Sequence, residues 1–231
     1  MMAKTFKALS ALLSYPDEDL RTAIDEIGCV IRSENLIDIE AWRALEPLLA
    51  ELARLDLFDL QERYVDLFDK TRRLSLHLFE HVHGESRDRG QAMVDLAALY
   101  EKGGLTLEAN ELPDYLPLFL EYLSTLPIEE ARPLLANALH IVSTIEERLA
   151  GRNSAYAAVF SAIGTMVDGT AAVPAIAAPT DAAPDDLAAL DAAWEETAVS
   201  FGPGDATDGC SIDRLRIQIR AGRRDARQST A

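Results

Sequence analysis

Cysteine is scarce in this sequence: Cys29 and Cys210 are its only two among 231 residues. They form no CxxC pair and imply no disulfide framework, which fits a reducing cytoplasm. Long apolar runs are also missing. None approaches the roughly 20 residues a helix needs to cross a bilayer, so no stable membrane association is expected. The N-terminal MMAKTFKALSALLSYPDED carries Lys4 and Lys7. Its apolar stretch is short and runs into acids without a small-residue cleavage site, so no signal peptide is expected. Positive charge is in short supply, with 22 Lys and Arg against 39 Asp and Glu, a net −17. Phosphate binding needs a basic surface, so nucleic acid is not an expected partner. A basic protein or peptide is, because complementary charge steers encounter. The motifs GxSxG, GxGxxG, HExxH and the Walker A loop do not occur, and neither does alternation of β-branched residues.

What the sequence does have is apolar spacing of helical period. Phe6, Leu9, Leu12 and Leu13 open the pattern, Pro16-Asp17 breaks it, and Leu20, Ile24, Ile27 and Ile31 resume it. Trp42, Leu45, Leu49, Leu52 and Leu55 form a third stripe, and Leu57, Leu60, Tyr64, Leu67 and Phe68 a fourth. Met93, Leu96, Ala97 and Tyr100 form a fifth, closed by Gly103-Gly104. Leu134, Leu135, Ala138, Leu139, Val142, Ile145 and Leu149 mark a long amphipathic helix, and a last helix is expected over 154–166. In ELPDYLPLFLEYLSTLP, residues 111–127, Asp114 as N-cap puts Pro117 at the third helical position, where no intrahelical N–H is needed. That helix is expected to be central. The fold class predicted is all-α, a single helical bundle over 1–167.

From Asp168 the composition changes to an Ala/Pro-rich linker, DGTAAVPAIAAPTDAAPDD. An apolar arm, LDAAWEETAVSF, and an arginine-rich end follow. From Cys210 onward six arginines stand against two aspartates, a net +4, which leaves 16 basic and 37 acidic residues, −21, in the rest. Residues 168–231 are therefore expected to be a mobile extension. Its Trp194 and Phe201 would pack intermittently on an apolar groove, and Arg214, Arg216 and Arg220 would meet the body's acids. On that competition model, truncation after residue 167 tightens binding of a peptide partner; the alternative is a disordered tail with no role, whose removal leaves binding unchanged.

Three of the four histidines fall within HLFEHVHGESRDRGQAM, residues 77–93. On a helix His77 and His81 share a face, and His83 with Glu80 or Glu85 could complete a zinc-type N/O set. No further ligand stands at a known spacing, and no nucleophile or phosphate cradle stands beside them for acid–base chemistry. The plainer reading is a corner. HLFEHVHG ends a helix with Leu78, Phe79 and Val82 inward, Gly84 breaks it, Ser86 caps the next helix and Asp88 favours its first turn. Arg87 and Arg89 then pair with Glu85 or Asp88.

LFEHVHGESRDRGQAMVDLAALYEKGGL, followed by ELPDYLPLFLEYLS, resembles the NarJ family. These are the delta-subunit chaperones that assemble the molybdenum cofactor into respiratory nitrate reductase. LSALLSYPDEDL and YVDLFDKTRRLSLHLFEH are similar to that family too, so the resemblance covers most of residues 5–150. It implies a cytoplasmic helical chaperone related to the maturation chaperones that bind twin-arginine signal peptides. It implies no enzyme and no stably bound cofactor: the molybdenum cofactor goes to the client. That wider group has an E-P-x-D-H signature. Glu111, Pro113 and Asp114 are its counterparts here, with Pro displaced by one position and Tyr115 standing where His would be.

The partner implied is the N-terminal segment of the nitrate reductase catalytic (alpha) subunit, with cofactor-biosynthesis proteins as further candidates. Such a segment would bind as an amphipathic helix in an apolar groove. Tyr64, Phe68, Phe79, Tyr115, Leu118 and Tyr122 are the candidate walls, each with core packing as the alternative. Glu80, Glu85, Glu111, Asp114 and Glu121, with His83 on the rim, are the candidate polar partners of client Arg or Lys. Acidification to about pH 5.5 would charge rim histidines of ordinary pKa near 6.5 and weaken capture of a basic client. The rival readings are a metal-dependent helical enzyme using His77, His81 and His83, and a generic acidic adaptor.

Overall fold

The structure, a computed structural model, describes residues 2–81, 87–107 and 111–167. His83, Glu85, Ser86 and the whole 168–231 extension lie outside the described residues. Among the described residues eight α-helices follow in order: α1 Lys4–Leu12, α2 Glu18–Glu34, α3 Ile39–Arg54, α4 Leu57–Phe68, α5 Arg87–Lys102, α6 Leu116–Ser124, α7 Ile128–Gly151 and α8 Ala157–Thr165. Two 3₁₀ turns, Arg72–Leu74 and Leu78–His81, join α4 to α5. Among the described residues no strand occurs, only two isolated bridges, Met2 with Pro127 and His77 with Tyr115.

Aspartates start three of these helices. Asp17 accepts from Leu20 N at 2.7 Å, Asp38 from Ala41 N at 2.7 Å, and Asp56 from Phe58 N at 2.8 Å. Each carboxylate satisfies an orphan N–H and sits where the helix dipole favours negative charge. α1 begins after Ala3, which has no such group. Its first N–H groups are met from elsewhere: Glu34, at the end of α2, accepts from Lys4 N at 2.9 Å and Thr5 N at 2.8 Å. The cap thus ties α1 to α2. α2 stops at Asn35, whose φ of 51° is the left-handed conformation Asn tolerates.

α1 packs on α2 and α6, and α8 is held between α3 and α7 with a further contact to α1. The centre is built by Phe6, Leu9 and Leu12 of α1, Phe119, Leu120 and Leu123 of α6, and Val159, Phe160 and Ile163 of α8, all buried. The expected central helix is therefore α6. The third stripe turns slightly from its expected face: Leu48 is buried while Leu55 is exposed. α8 begins at Ala157, later than the expected 154, after a left-handed Asn153 with φ 54°.

Two expectations are corrected here. Residues 77–81 do not end an α-helix: His77 is in a bridge and Leu78–His81 is a 3₁₀ turn. Asp114 does not cap α6. The N-cap is Tyr115, without a side-chain bond, and Pro117 is the second helical residue. Pro117 still costs no hydrogen bond there. Its own carbonyl accepts from Ser10 Oγ at 2.6 Å, pinning α6 to α1.

Candidate functional site

The site grows from one short pairing between two segments far apart in sequence. Leu78 N donates to Asp114 O at 2.9 Å, and Leu116 N donates to Leu76 O at 2.8 Å. These bonds draw 76–79 antiparallel to 114–116, and they explain why Asp114 leaves the helix end. Its Oδ2 accepts from Phe79 N at 3.1 Å, and its Oδ1 lies 3.1 Å from His77 Nδ1. The Asp114 side chain is fully buried, at 0% exposure. A buried carboxylate needs strong donors, and a backbone N–H plus an imidazole from another segment outcompete the local cap.

The histidines separate instead of sharing a face. The Asp114 hydrogen bond pushes the His77 pKa above its ordinary value, against the opposing effect of burial. Its ring lies 5.3 Å from that of Tyr115. His81 instead bonds Ser75 O through Nε2 at 2.7 Å. A carbonyl only accepts, so Nε2 carries the proton. Burial lowers the His81 pKa, as it does that of His140. Among the described residues no three His, Cys, Asp or Glu side chains converge to hold a metal. His83 and Glu85 are outside that set.

The candidate wall residues fall into distinct places. Tyr64 and Phe68 of α4 are buried, with ring centroids 4.9 Å apart, and Phe68 meets Tyr156 edge-on at 5.2 Å. Tyr64 Oη donates to Leu13 O at 2.8 Å and lies 3.0 Å from Tyr115 Oη. Its one proton is committed to the carbonyl, so Tyr115 donates to Tyr64. Burial raises the pKa of both phenols, and that of Tyr156 is pushed up to about 12, again by burial. Phe79 and Tyr122 are also buried; Tyr115 and Leu118 are only half-buried. Thus Tyr64, Phe68, Phe79 and Tyr122 serve as core in this state of the chain, and Tyr115 and Leu118 remain open to a partner.

The candidate acids also divide. Glu121 pairs with Lys7 Nζ of α1 at 2.9 Å. Glu80 faces Arg89 Nη2 at 3.9 Å; Glu85 and the Asp88 side chain, expected to pair with the neighbouring arginines, lie outside the described residues. Asp114 is used internally, and Glu111 is exposed just before the pairing. Tyr100 was not singled out from the sequence as a site residue. It is fully buried, donates to Pro113 O at 2.7 Å and packs on Tyr122 with centroids 4.9 Å apart. It fixes the approach to Asp114 from the α5 side, and its only sequence signal was its place in an apolar stripe.

The model of the nitrate reductase delta subunit family matches residues 35–162, more than half of the chain and the region that contains this pairing. The chain belongs to the nitrate reductase delta subunit family. Among similar members is the nitrate reductase molybdenum cofactor assembly chaperone NarJ of Escherichia coli strain K12, 45% identical over 206 residues, which cover 86% of each chain. NarW of the same strain is 40% identical over 203 residues, covering 87% of this chain and 85% of its own. The fold is similar to a crystal structure of a candidate redox enzyme maturation protein from Archaeoglobus fulgidus, with a TM-score of 0.52 and 24% identity. That match covers 71% of this chain and 92% of the other. In this delta-subunit-family chain the Asp114 pairing lies inside the matched region, between the 3₁₀ turn Leu78–His81 and the start of α6.

Proposed function

We propose that this protein is a molybdenum cofactor assembly chaperone for a respiratory nitrate reductase, not an enzyme. It binds the N-terminal segment of the apo catalytic subunit, keeps that subunit open for cofactor insertion and delays its docking on the membrane anchor. The observation that carries this reading is the 45% identity to a chaperone of that name along 86% of both chains. The chemistry agrees. The body is strongly acidic, and the stretch 111–118 holds the exposed Glu111 followed by the half-buried Tyr115 and Leu118. Apolar and acidic groups together suit an amphipathic helix with basic residues. Entry of a client helix against Tyr64, Phe68, Phe79 and Tyr122 requires the 76–79/114–116 pairing or its neighbours to part. The site can then be closed when empty and open when occupied. The protein works in the cytoplasm and holds no cofactor stably; among the described residues no helix is long and apolar enough to cross a membrane.

Co-purification of the full chain with the catalytic subunit, with and without its N-terminal segment, tests the reading. Capture should depend on that segment. Equal capture of a subunit that lacks it rejects the segment as the recognition element.

A further inference from the structure

The outer face of α4 carries a second surface that the client reading does not use. Tyr15, Phe58, Gln61, Glu62, Val65 and Asp66 line an open groove of about 340 Å³, with Lys70 at its edge. Phe58 is 80% exposed and Tyr15 48%. Scattered exposed apolar residues are normal, but here two rings flank one concavity, and carboxylates stand beside them. Residues 56–69 hold five acids and one arginine. That arginine, Arg63, is committed to Glu51 at 2.9 Å, and Lys70 pairs with Asp66. Such a groove suits an occupant that is both aliphatic and cationic. Aliphatic side chains would cover the rings, and guanidinium groups would meet the carboxylates and ring faces.

The chain contains a segment of that chemistry. In IDRLRIQIR, Ile212–Arg220, Leu215, Ile217 and Ile219 alternate with Arg214, Arg216, Gln218 and Arg220. It belongs to the end that carries +4 against a body of −21. The 44 residues between Val167 and Ile212 span up to about 150 Å when extended. A domain of this size has a radius of gyration of about 15 Å, so the segment can reach every face of the bundle. We propose that Ile212–Arg220 docks intramolecularly in the Tyr15–Phe58–Glu62–Asp66 groove of α4. Exposed ion pairs and guanidinium–ring contacts are individually weak. A tether supplies an effective concentration near millimolar, so a contact with a dissociation constant of about a millimolar is occupied roughly half the time. This assignment stands apart from the client reading and does not need it.

Cys210, two residues before the segment, allows a direct test in the full chain. With exposed Cys29 replaced (Cys29→Ser), a nitroxide on Cys210 should broaden the amides of 57–66. Their peak intensity should fall by more than about twofold, because a contact populated about half the time and exchanging fast averages a steeply distance-dependent broadening, while amides of α7 are spared. The broadening should disappear in Phe58→Ser/Glu62→Gln/Asp66→Asn, whose changes are at the groove surface. In Glu62→Arg/Asp66→Arg it should be lost and then return when Arg214→Glu, Arg216→Glu and Arg220→Glu are added. Absence of α4 broadening, broadening centred on another face, or broadening that survives the triple variant overturns the proposal. So does broadening that persists when label and isotope are on different molecules, because a second copy would then be the occupant.

Discussion

Asp114 is the residue on which the candidate site turns, because its two oxygens hold both halves of the 76–79/114–116 pairing. Asp114→Ala leaves the Phe79 N–H and the His77 imidazole without their acceptor inside the fold. It should destabilise by about 3 kcal/mol in urea unfolding, as the loss of a buried charged acceptor does. Asp114→Asn keeps an oxygen for Phe79 and should cost clearly less, and the His77 titration measured by NMR should move down. A similar loss for both variants would mean that the carboxylate charge, not the acceptor, is what matters. The pH dependence has a definite sign. The folded His77 pKa lies above its unfolded value. Its contribution is therefore fully present below the ordinary value near 6.5 and fades as pH rises through the raised folded value. The stability gap between the natural protein and His77→Gln should be largest in mild acid and shrink toward pH 8. Urea midpoints across that range check it, and a gap that widens with pH contradicts the clasp. Since burial holds the His81 pKa down and the His77 proton is shared with Asp114, client capture should lose less affinity toward pH 5.5 than three ordinary histidines would impose. Elemental analysis of untagged protein addresses the metal rival. No stoichiometric zinc, iron or nickel is expected, and stoichiometric metal lost in His77→Ala/His81→Ala would refute that.

At the scale of elements, α5 and α6 meet through a contact that tolerates almost no change. A Cβ at Gly103 would lie 2.5 Å from Tyr122 Cε2. Gly103→Ala must therefore displace that ring from Tyr100, at a cost of about 1–3 kcal/mol typical of overpacking. Gly104 has φ 83°, so Gly104→Ala should cost about 1 kcal/mol through backbone strain alone. Thermal or urea unfolding separates the two: only Gly103→Ala should also perturb Tyr100 and Tyr122 ring signals. The helices themselves were legible in the sequence because core burial imposes a 3.6-residue period. Phe6, Leu9 and Leu12, or Leu135, Ala138, Val142 and Ile145, display it openly. The joints were not legible. Asp114 looked like a cap because Asp followed by an apolar run is a local signal. Its actual partners are 35 and 37 residues away and leave no local trace. Glu34 capping α1 across 30 and 29 residues is the same kind of tertiary event. Of the candidate walls, sequence pattern found the aromatic residues but could not separate core from rim. Tyr64 and Tyr115 have similar apolar neighbours, yet one is buried and the other half open.

The whole molecule combines a helical bundle that holds a closed internal clasp with a strongly acidic composition, net −17. Client binding should accordingly weaken with added salt, because exposed charge pairs are screened over about 8 Å at physiological ionic strength. Calorimetry with the client's N-terminal peptide from low to high salt gives that slope, and salt-independent affinity would assign recognition to apolar contacts alone. Assembly of the cofactor into a client enzyme is read directly from the molybdenum content of nitrate reductase catalytic subunit purified from cells that have, or lack, this protein as their sole delta-family chaperone. A chaperone of this kind should give near-stoichiometric molybdenum when present and leave a strongly depleted subunit when absent. Equal molybdenum in the two preparations would contradict it.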